Sequence, residues 1–363
     1  DIFEFIRMSG LKNFKRGVLI TDAFMKASAE NAEWQLVDVM KKEVRKVNAA
    51  ELLTQLLTVV HASGDPALIF VDAISAVRPL STTPCPSQPL MAFQSVPQAV
   101  VNLAVMVDRG HIAWDRLRKC VALAVRALDD VIEVTQYPNP MVQDSTKAHR
   151  TLGVGVMGLA EMLVGMNIAY GSKKAFDAVD KVMKFIADEA RKESATLGKT
   201  RGSYPLHADA KKPMRNASLL TVTPTGTLSS IGPATSGIEP LGVIVRISDA
   251  KTLEIHPLFE KLMRAKGAYS PALMCKLVKA GTLGADVPKD IRSLFTHDLS
   301  LEMHLKLQLA VQKHVDNGVG KALHISPEMK ILDVRKLILL AHKMRAKSIW
   351  FHRGDGACRG CGI

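Results

Sequence analysis

Apolar residues recur three and four apart over most of this chain, and short apolar runs interrupt that rhythm. Between Trp114 and Val134 the apolar positions Leu117, Val121, Ala124, Val125, Leu128, Val131 and Ile132 fall on one helical face. The same spacing predicts helices over Ser172 to Leu197, Ser300 to His314 and Leu332 to Arg345, and Thr21 is placed to cap a shorter one ending near Asn31. His149 to Met166 also reads as a helix, with the unusual opening Gly153-Val-Gly155-Val-Met-Gly158, where glycines let a backbone or ligand come close. Strands are predicted at Gly17 to Ile20, Ser218 to Val222, Ile244 to Ile247 and Ser348 to His352. Short apolar runs separated by long helices describe an α/β architecture with crossover connections. No internal repeat of solenoid period is found. The composition changes at Arg353, so one domain is expected over residues 1–352 and a flexible tail over 353–363.

Composition narrows the class. With 363 residues, 47% of them hydrophobic, the chain is long enough for a large core. It holds no run of eighteen apolar residues, and Asp1 to Arg7 resemble neither part of a signal peptide, so a soluble protein without a membrane segment is expected. The first residue is not Met, which suggests a processed or partial chain. Five cysteines, at 85, 120, 275, 358 and 361, are too scattered for a disulfide framework, and a reducing compartment such as the cytoplasm is the simpler reading. Cys120 and Cys275 sit in helical runs and read as core.

A formal charge of +13, from 48 basic and 35 acidic residues, suits phosphate-bearing partners but does not choose between nucleotides and nucleic acid. Aromatics are only 5% of residues and none interleave with a basic stretch, which argues against a single-strand stacking surface. The charge cluster Lys41 to Lys46 reads as the solvated face of a helical stretch. The eleven histidines show no metal-binding spacing, and His314 reads as a hydrogen-bonded structural residue.

The most informative segment is Arg215-Asn-Ala-Ser-Leu-Leu-Thr-Val-Thr-Pro224-Thr225-Gly226-Thr227-Leu228-Ser229. An apolar, β-branched run ends in a Pro-Thr-Gly-Thr turn, and a helix can begin beyond it. Unpaired N–H groups at a helix start, flanked by hydroxyls, suit a phosphate; an ordinary capped strand-to-helix turn has the same residues. Continued through Thr235-Ser-Gly-Ile-Glu239-Pro240, the string resembles the signature of ribonucleotide reductase catalytic subunits. Tyr137-Pro-Asn-Pro140, Lys147 to Gly158, Gln312-Lys-His-Val-Asp-Asn317, and Asn13-Phe14 with Ile20 to Met25 resemble further family segments, in the family's order. The Gln312 segment is similar to that of the adenosylcobalamin-dependent members. The resemblance implies the C-terminal half of a ten-stranded α/β barrel with a central radical-site finger loop, a ribonucleotide substrate, and phosphates bound at Thr225, Gly226, Thr227, Leu228 and Ser229. It also implies adenosylcobalamin as radical source, a thiol reductant such as thioredoxin, and an N-terminal half contributed from elsewhere.

The family removes a ribose 2′-hydroxyl through a cysteine thiyl radical, a carboxylate, an orienting amide and two further thiols. Ser81-Thr-Thr83-Pro84-Cys85-Pro86-Ser87-Gln88-Pro89-Leu90 resembles the loop that carries this cysteine, with Cys85 at the radical position. The family pattern is Asn-Pro-Cys-Gly-Glu-Gln-Pro-Leu, so Thr83, Pro86 and Ser87 replace the asparagine, glycine and glutamate. Downstream, Val96 stands where the family has an electron-donating cysteine. At the other end Cys358-x-x-Cys361 resembles a terminal dithiol shuttle, and Arg359 between the thiols favours a thiolate. Half of a zinc site is the alternative for this pair. Two readings follow: an adenosylcobalamin-dependent reductase, or a catalytically degraded descendant that serves as a subunit or basic interaction module.

Overall fold

The computed structural model describes residues 2–7, 16–38, 40, 42–74, 81–83, 85–207, 209, 211–242, 244–247, 252–295, 299–326 and 328–353. Cys358 and Cys361 lie outside them. Arg353, expected to open the tail, is instead the last residue of a strand.

A wall of strands organises the fold: β1 (Gly17–Ile20), β2 (Ala67–Phe70), β3 (Gln98–Asn102), β4 (Gly153–Met157), β5 (Ala322–Ile325) and β6 (Ser348–Arg353). β3 pairs with β4, β5 with β6 and β1 with β2, all parallel, whereas β6 runs antiparallel to β2. Parallel bridges Val154 to Leu220 and Val222 to Val319 join the two halves. From one edge to the other the wall therefore reads β3, β4, 219–222, 318–325, β6, β2, β1. Parallel neighbours require crossover connections, and helices fill each of them: Trp114–Val134 and Pro140–His149 between β3 and β4, then Leu159–Gly165 and Lys173–Arg201 before residue 219. Helices Leu301–Gln312 and Ile331–Lys343 serve the later crossings. The wall remains open at β3 and at β1 among the described residues.

The periodicity identified the long helices well. Thr21, Ser172 and Ser300 each accept an N–H bond at the start of helices Asp22–Ala29, Lys173–Arg201 and Leu301–Gln312. Leu117, Val121, Val125, Leu128 and Ile132 form the buried face of the Trp114 helix. The helix expected over His149 to Met166 holds only over Leu159–Gly165, because Arg150 adopts a left-handed φ of 50° and the chain then enters β4. Glycines make that strand possible: a Cβ on Gly153 would lie 2.8 Å from Thr221, and one on Gly155 would lie 2.6 Å from the Thr221 carbonyl. Residues 218–222, read as a strand, form two isolated bridges rather than a continuous strand, with backbone bonds to 152–154 on one side and 317–320 on the other. The charged stretch read as helical is the strand Glu43–Asn48, paired with Glu33–Val37, because Trp34 stands opposite Val47 and alternation outweighs charge. Cys275 is exposed rather than core, since helix Pro271–Ala280 buries Met274 and Leu277 instead, whereas Cys120 packs half-buried against the core.

Two polar clamps hold the segment that leads to the Pro224 turn. Asp129, fully buried, accepts from Arg150 Nη2 at 2.7 Å, Arg215 Nε at 3.2 Å and Arg201 Nη1 at 3.2 Å, with Asn216 Nδ2 at 3.2 Å. Further along, Asp316 Oδ2 accepts the N–H groups of Leu219 and Leu220 at 3.1 and 3.0 Å, and Asn317 Nδ2 donates to Leu220 O at 3.0 Å. Lys347 Nζ donates to the carbonyls of Val315, Asp316 and Asn317, and burial pushes its pKa down. His314 bonds Asp180 at 2.8 Å, as a structural residue does.

Burial works to raise the Asp129 pKa, but Arg150 and Arg215 outweigh it and hold the carboxyl below its ordinary value. A depressed folded pKa means that this contribution is complete above the unfolded pKa of about 4 and is lost as pH falls through the lower folded value. Asp129→Ala should therefore destabilise the chain by ~3–5 kcal/mol at pH 7, because it leaves the buried Arg150 with only the half-exposed Glu133 as a carboxylate partner. The gap between variant and wild type in urea unfolding should narrow below about pH 4. A gap of under about 1 kcal/mol, or one independent of pH, would contradict this role.

Candidate active site

A short antiparallel pairing of Ser81–Thr82 with Pro89–Leu90 closes the loop that carries Cys85. The loop is braced from inside: Thr83 N donates to Gln88 O at 3.0 Å, Gln88 N donates to Thr83 Oγ1 at 3.1 Å, and the Thr83 and Ser87 hydroxyls lie 3.2 Å apart. Ser87 and Gln88 are fully buried. Both residues that depart from the family pattern at 83 and 87 thus use their polar atoms within the loop.

The wall grips the loop from outside. Gly318 N and Thr221 Oγ1 both donate to Ser87 O, at 2.6 and 2.7 Å, and Ser348 Oγ donates to Pro86 O at 2.9 Å. The approach is too close for side chains on the wall. A Cβ on Gly318 would fall 2.8 Å from Ser87 O, and one on Gly320 would fall 2.9 Å from both Cys85 O and Pro224 Cδ. The Cys85 side chain is half-buried and packs with Ala67, Ala322 and Trp350. Trp350 Nε1 and Gln88 Oε1 are buried without a hydrogen-bond partner among the described residues. Two residues beyond Ala322 and Trp350, His324 and His352 meet edge to face as register partners, with ring centroids 5.1 Å apart.

Beyond Gly320 lies the second predicted element. Pro224 ends the 219–222 segment and helix Gly226–Ile231 starts at Thr225. The N–H groups of Gly226, Thr227 and Leu228 have no acceptor among the described residues, and Thr227 and Leu228 are exposed. Thr225 is buried: its N–H donates to Ser236 Oγ at 2.7 Å, and its hydroxyl accepts from Gly237 N at 3.1 Å and lies 2.9 Å from Ser229 Oγ. The sequence-derived site residues on the Cys85 loop and the Thr225 turn thus meet at one glycine. Val96 is half-buried just before β3.

Several residues of this site escaped the sequence reading. Gly318 and Gly320 follow Asn317 directly, and their alternation in an apolar run is the signal that marks a close backbone approach. Glu239 accepts from the fully buried Lys321 at 2.5 Å and from Ala322 N at 3.1 Å, so it fastens the 235–240 loop to the wall. Nothing in spacing alone pairs residues so far apart.

Comparison with known proteins identifies the family. The family described as ribonucleotide reductase, barrel domain, matches residues 1–212 and 205–352. A vitamin B12-dependent ribonucleoside-diphosphate reductase of Mycobacterium tuberculosis (strain CDC 1551 / Oshkosh) is 35% identical over 97% of this chain and 54% of its own length. One of the same name from Thermoplasma acidophilum is 32% identical over 97% of this chain and 49% of its own length. The chain spans about half the length of the curated relatives it matches. The Actinobacillus ureae class Id ribonucleotide reductase alpha subunit superposes with a TM-score of 0.81 over 98% of this chain and 69% of that one, at 20% identity, a likeness of fold. The chain belongs to the ribonucleotide reductase barrel-domain family.

Proposed function

We propose that this chain forms the barrel portion of a ribonucleotide reductase and binds a ribonucleotide with its phosphates at Thr225–Ser229 and its ribose towards Cys85. The observation that carries this reading is the shared contact at Gly320, which sets the Cys85 loop against the Pro224 turn. Free N–H groups at 226–228 beside the Thr227 and Ser229 hydroxyls suit an anion. The names of the Mycobacterium and Thermoplasma relatives favour a ribonucleoside diphosphate.

In the proposed reaction a Cys85 thiyl removes the ribose 3′-hydrogen and later returns it. The 2′-hydroxyl leaves as water, and two thiols supply two electrons and two protons as they become a disulfide. The same relatives' names favour adenosylcobalamin, which when bound supplies a carbon-centred radical able to take a thiol hydrogen. The half-buried thiol of Cys85 fits that reacting end, and Cys85 is the residue that would meet it. No described cluster marks a seat for the corrinoid plane. Cys358 and Cys361, with a thioredoxin-like dithiol, are proposed to carry electrons in.

A second reading, a reductase-fold subunit that binds nucleotide without reducing it, is favoured by Ser87 and Val96. Ser87 points its hydroxyl to Thr83 inside the loop, and Val96 offers no thiol. General acid–base assistance is typically worth ~10²–10⁴-fold, and a missing redox partner blocks repeated turnover by the usual route.

Two outcomes test these readings. Thr227→Ala combined with Ser229→Ala should weaken binding of a ribonucleoside diphosphate by at least roughly tenfold to a hundredfold in calorimetry, since losing even one bond to a charged partner costs ~1.5–3 kcal/mol. Unchanged affinity would make the turn an ordinary helix start. Separately, the chain incubated with CDP, adenosylcobalamin and dithiol should show very slow or no deoxynucleotide formation. Robust multiple turnover that Cys85→Ser abolishes would show that the departures at Ser87 and Val96 are compensated elsewhere.

A further inference from the structure

Behind the Thr225 turn, residues 235–237 act as a brace. Ser236 Oγ takes the Thr225 N–H at 2.7 Å, and Gly237 N donates to Thr225 Oγ1 at 3.1 Å. Thr225 in turn holds Ser229, through its carbonyl to Ser229 N at 2.7 Å and through the hydroxyl contact of 2.9 Å. The aim of the turn's open N–H groups thus depends on where the brace sits.

One side chain fixes the brace to the wall. Glu161 lies on helix Leu159–Gly165, immediately after β4, and is only 4% exposed. Its Oε1 accepts Thr235 N at 2.7 Å, its Oε2 accepts Thr235 Oγ1 at 2.6 Å, and His256 Nε2 lies 3.4 Å from Oε1. Gly158 N adds a backbone bond to Thr235 O at 2.8 Å. Burial works to raise the Glu161 pKa, but the bonds from His256 and Thr235 prevail and keep it below the ordinary carboxylate range. A buried carboxylate with both oxygens engaged has one low-energy arrangement, and it transmits that rigidity to Thr235.

We propose that Glu161 is a positioning residue for ligand phosphate: it locks Thr235, and through Ser236 and Thr225 keeps the N–H groups of 226–228 converged on one point. The proposal rests on the phosphate reading of the Thr225 turn. Glu161 itself faces Thr235 and His256, not the turn's open side, so its effect on a ligand is indirect.

The test is calorimetric titration of CDP into the full chain and its variants, with thermal melts to confirm folding. Glu161→Leu removes both acceptors at similar volume and should weaken CDP roughly tenfold. Glu161→Gln keeps one acceptor for Thr235 N and can donate to Thr235 Oγ1, so it should stay within about threefold of wild type. Thr235→Val, a smaller change, should also weaken binding, and Thr235→Ser should restore it. Wild-type affinity in folded Glu161→Leu or Thr235→Val, while the Thr227→Ala, Ser229→Ala pair loses CDP, would overturn the positioning role alone. Equal losses in the Gln, Ser, Leu and Val variants would reduce Glu161 to general packing and also overturn it. If the Thr227, Ser229 pair itself binds normally, the phosphate reading fails and this inference with it.

Discussion

Everything at the site depends on a backbone approach that only glycine allows. The wall between Asn317 and Lys321 must touch the Cys85 loop on one side and the Pro224 turn on the other. A Cβ at 318 or 320 would fall within 3 Å of backbone carbonyl oxygens that cannot move aside. The approach is then secured by directed bonds, since Ser87 O accepts from Gly318 N and Thr221 Oγ1 together. A thiol-bearing loop and the Pro224 turn, nearly 140 residues apart in sequence, are set against one another by that contact.

Such a contact is useful only if the wall is rigid, and the buried Asp129 and the half-buried Asp316 make it so. Asp129 gathers Arg150, Arg201 and Arg215 where the 215–222 segment begins, and Asp316 takes two successive N–H groups farther along it. Ion groups out of water are costly unless fully partnered, and here both oxygens of Asp129 and Oδ2 of Asp316 each have more than one donor. The loop itself is braced from inside by the Thr83 and Ser87 hydroxyls and the Gln88 N–H, and from outside by the wall. The loop therefore owes its shape to hydroxyl bonds at positions where the family pattern carries an amide and a carboxylate.

Much of this was legible in the sequence, for identifiable reasons. Helix faces such as Leu117 to Ile132 repeat over several turns, and cap residues such as Thr21, Ser172 and Ser300 announce their starts. The Cys85 loop and the Thr225 turn were legible because their residue strings are long and specific. β4 was not: Gly153 and Gly155 look permissive locally, and only Thr221 pressing on them from the next strand explains why a strand rather than a helix forms. The strand at Glu43–Asn48 was hidden by its charges, and Cys275 by sitting on the wrong side of an apolar helix. The Glu161 brace and the Gly320 contact are products of tertiary approach, which no periodicity records.

The central claim is that the Cys85 loop and the Thr225 turn form a single substrate site across Gly320. A crystal structure of the chain with a bound ribonucleoside diphosphate tests it most directly. The account predicts phosphate oxygens on the N–H groups of 226–228 and the ribose against the Cys85 side chain. A nucleotide seated elsewhere on the molecule, or one whose phosphates occupy the turn while its ribose faces away from Cys85, would contradict it.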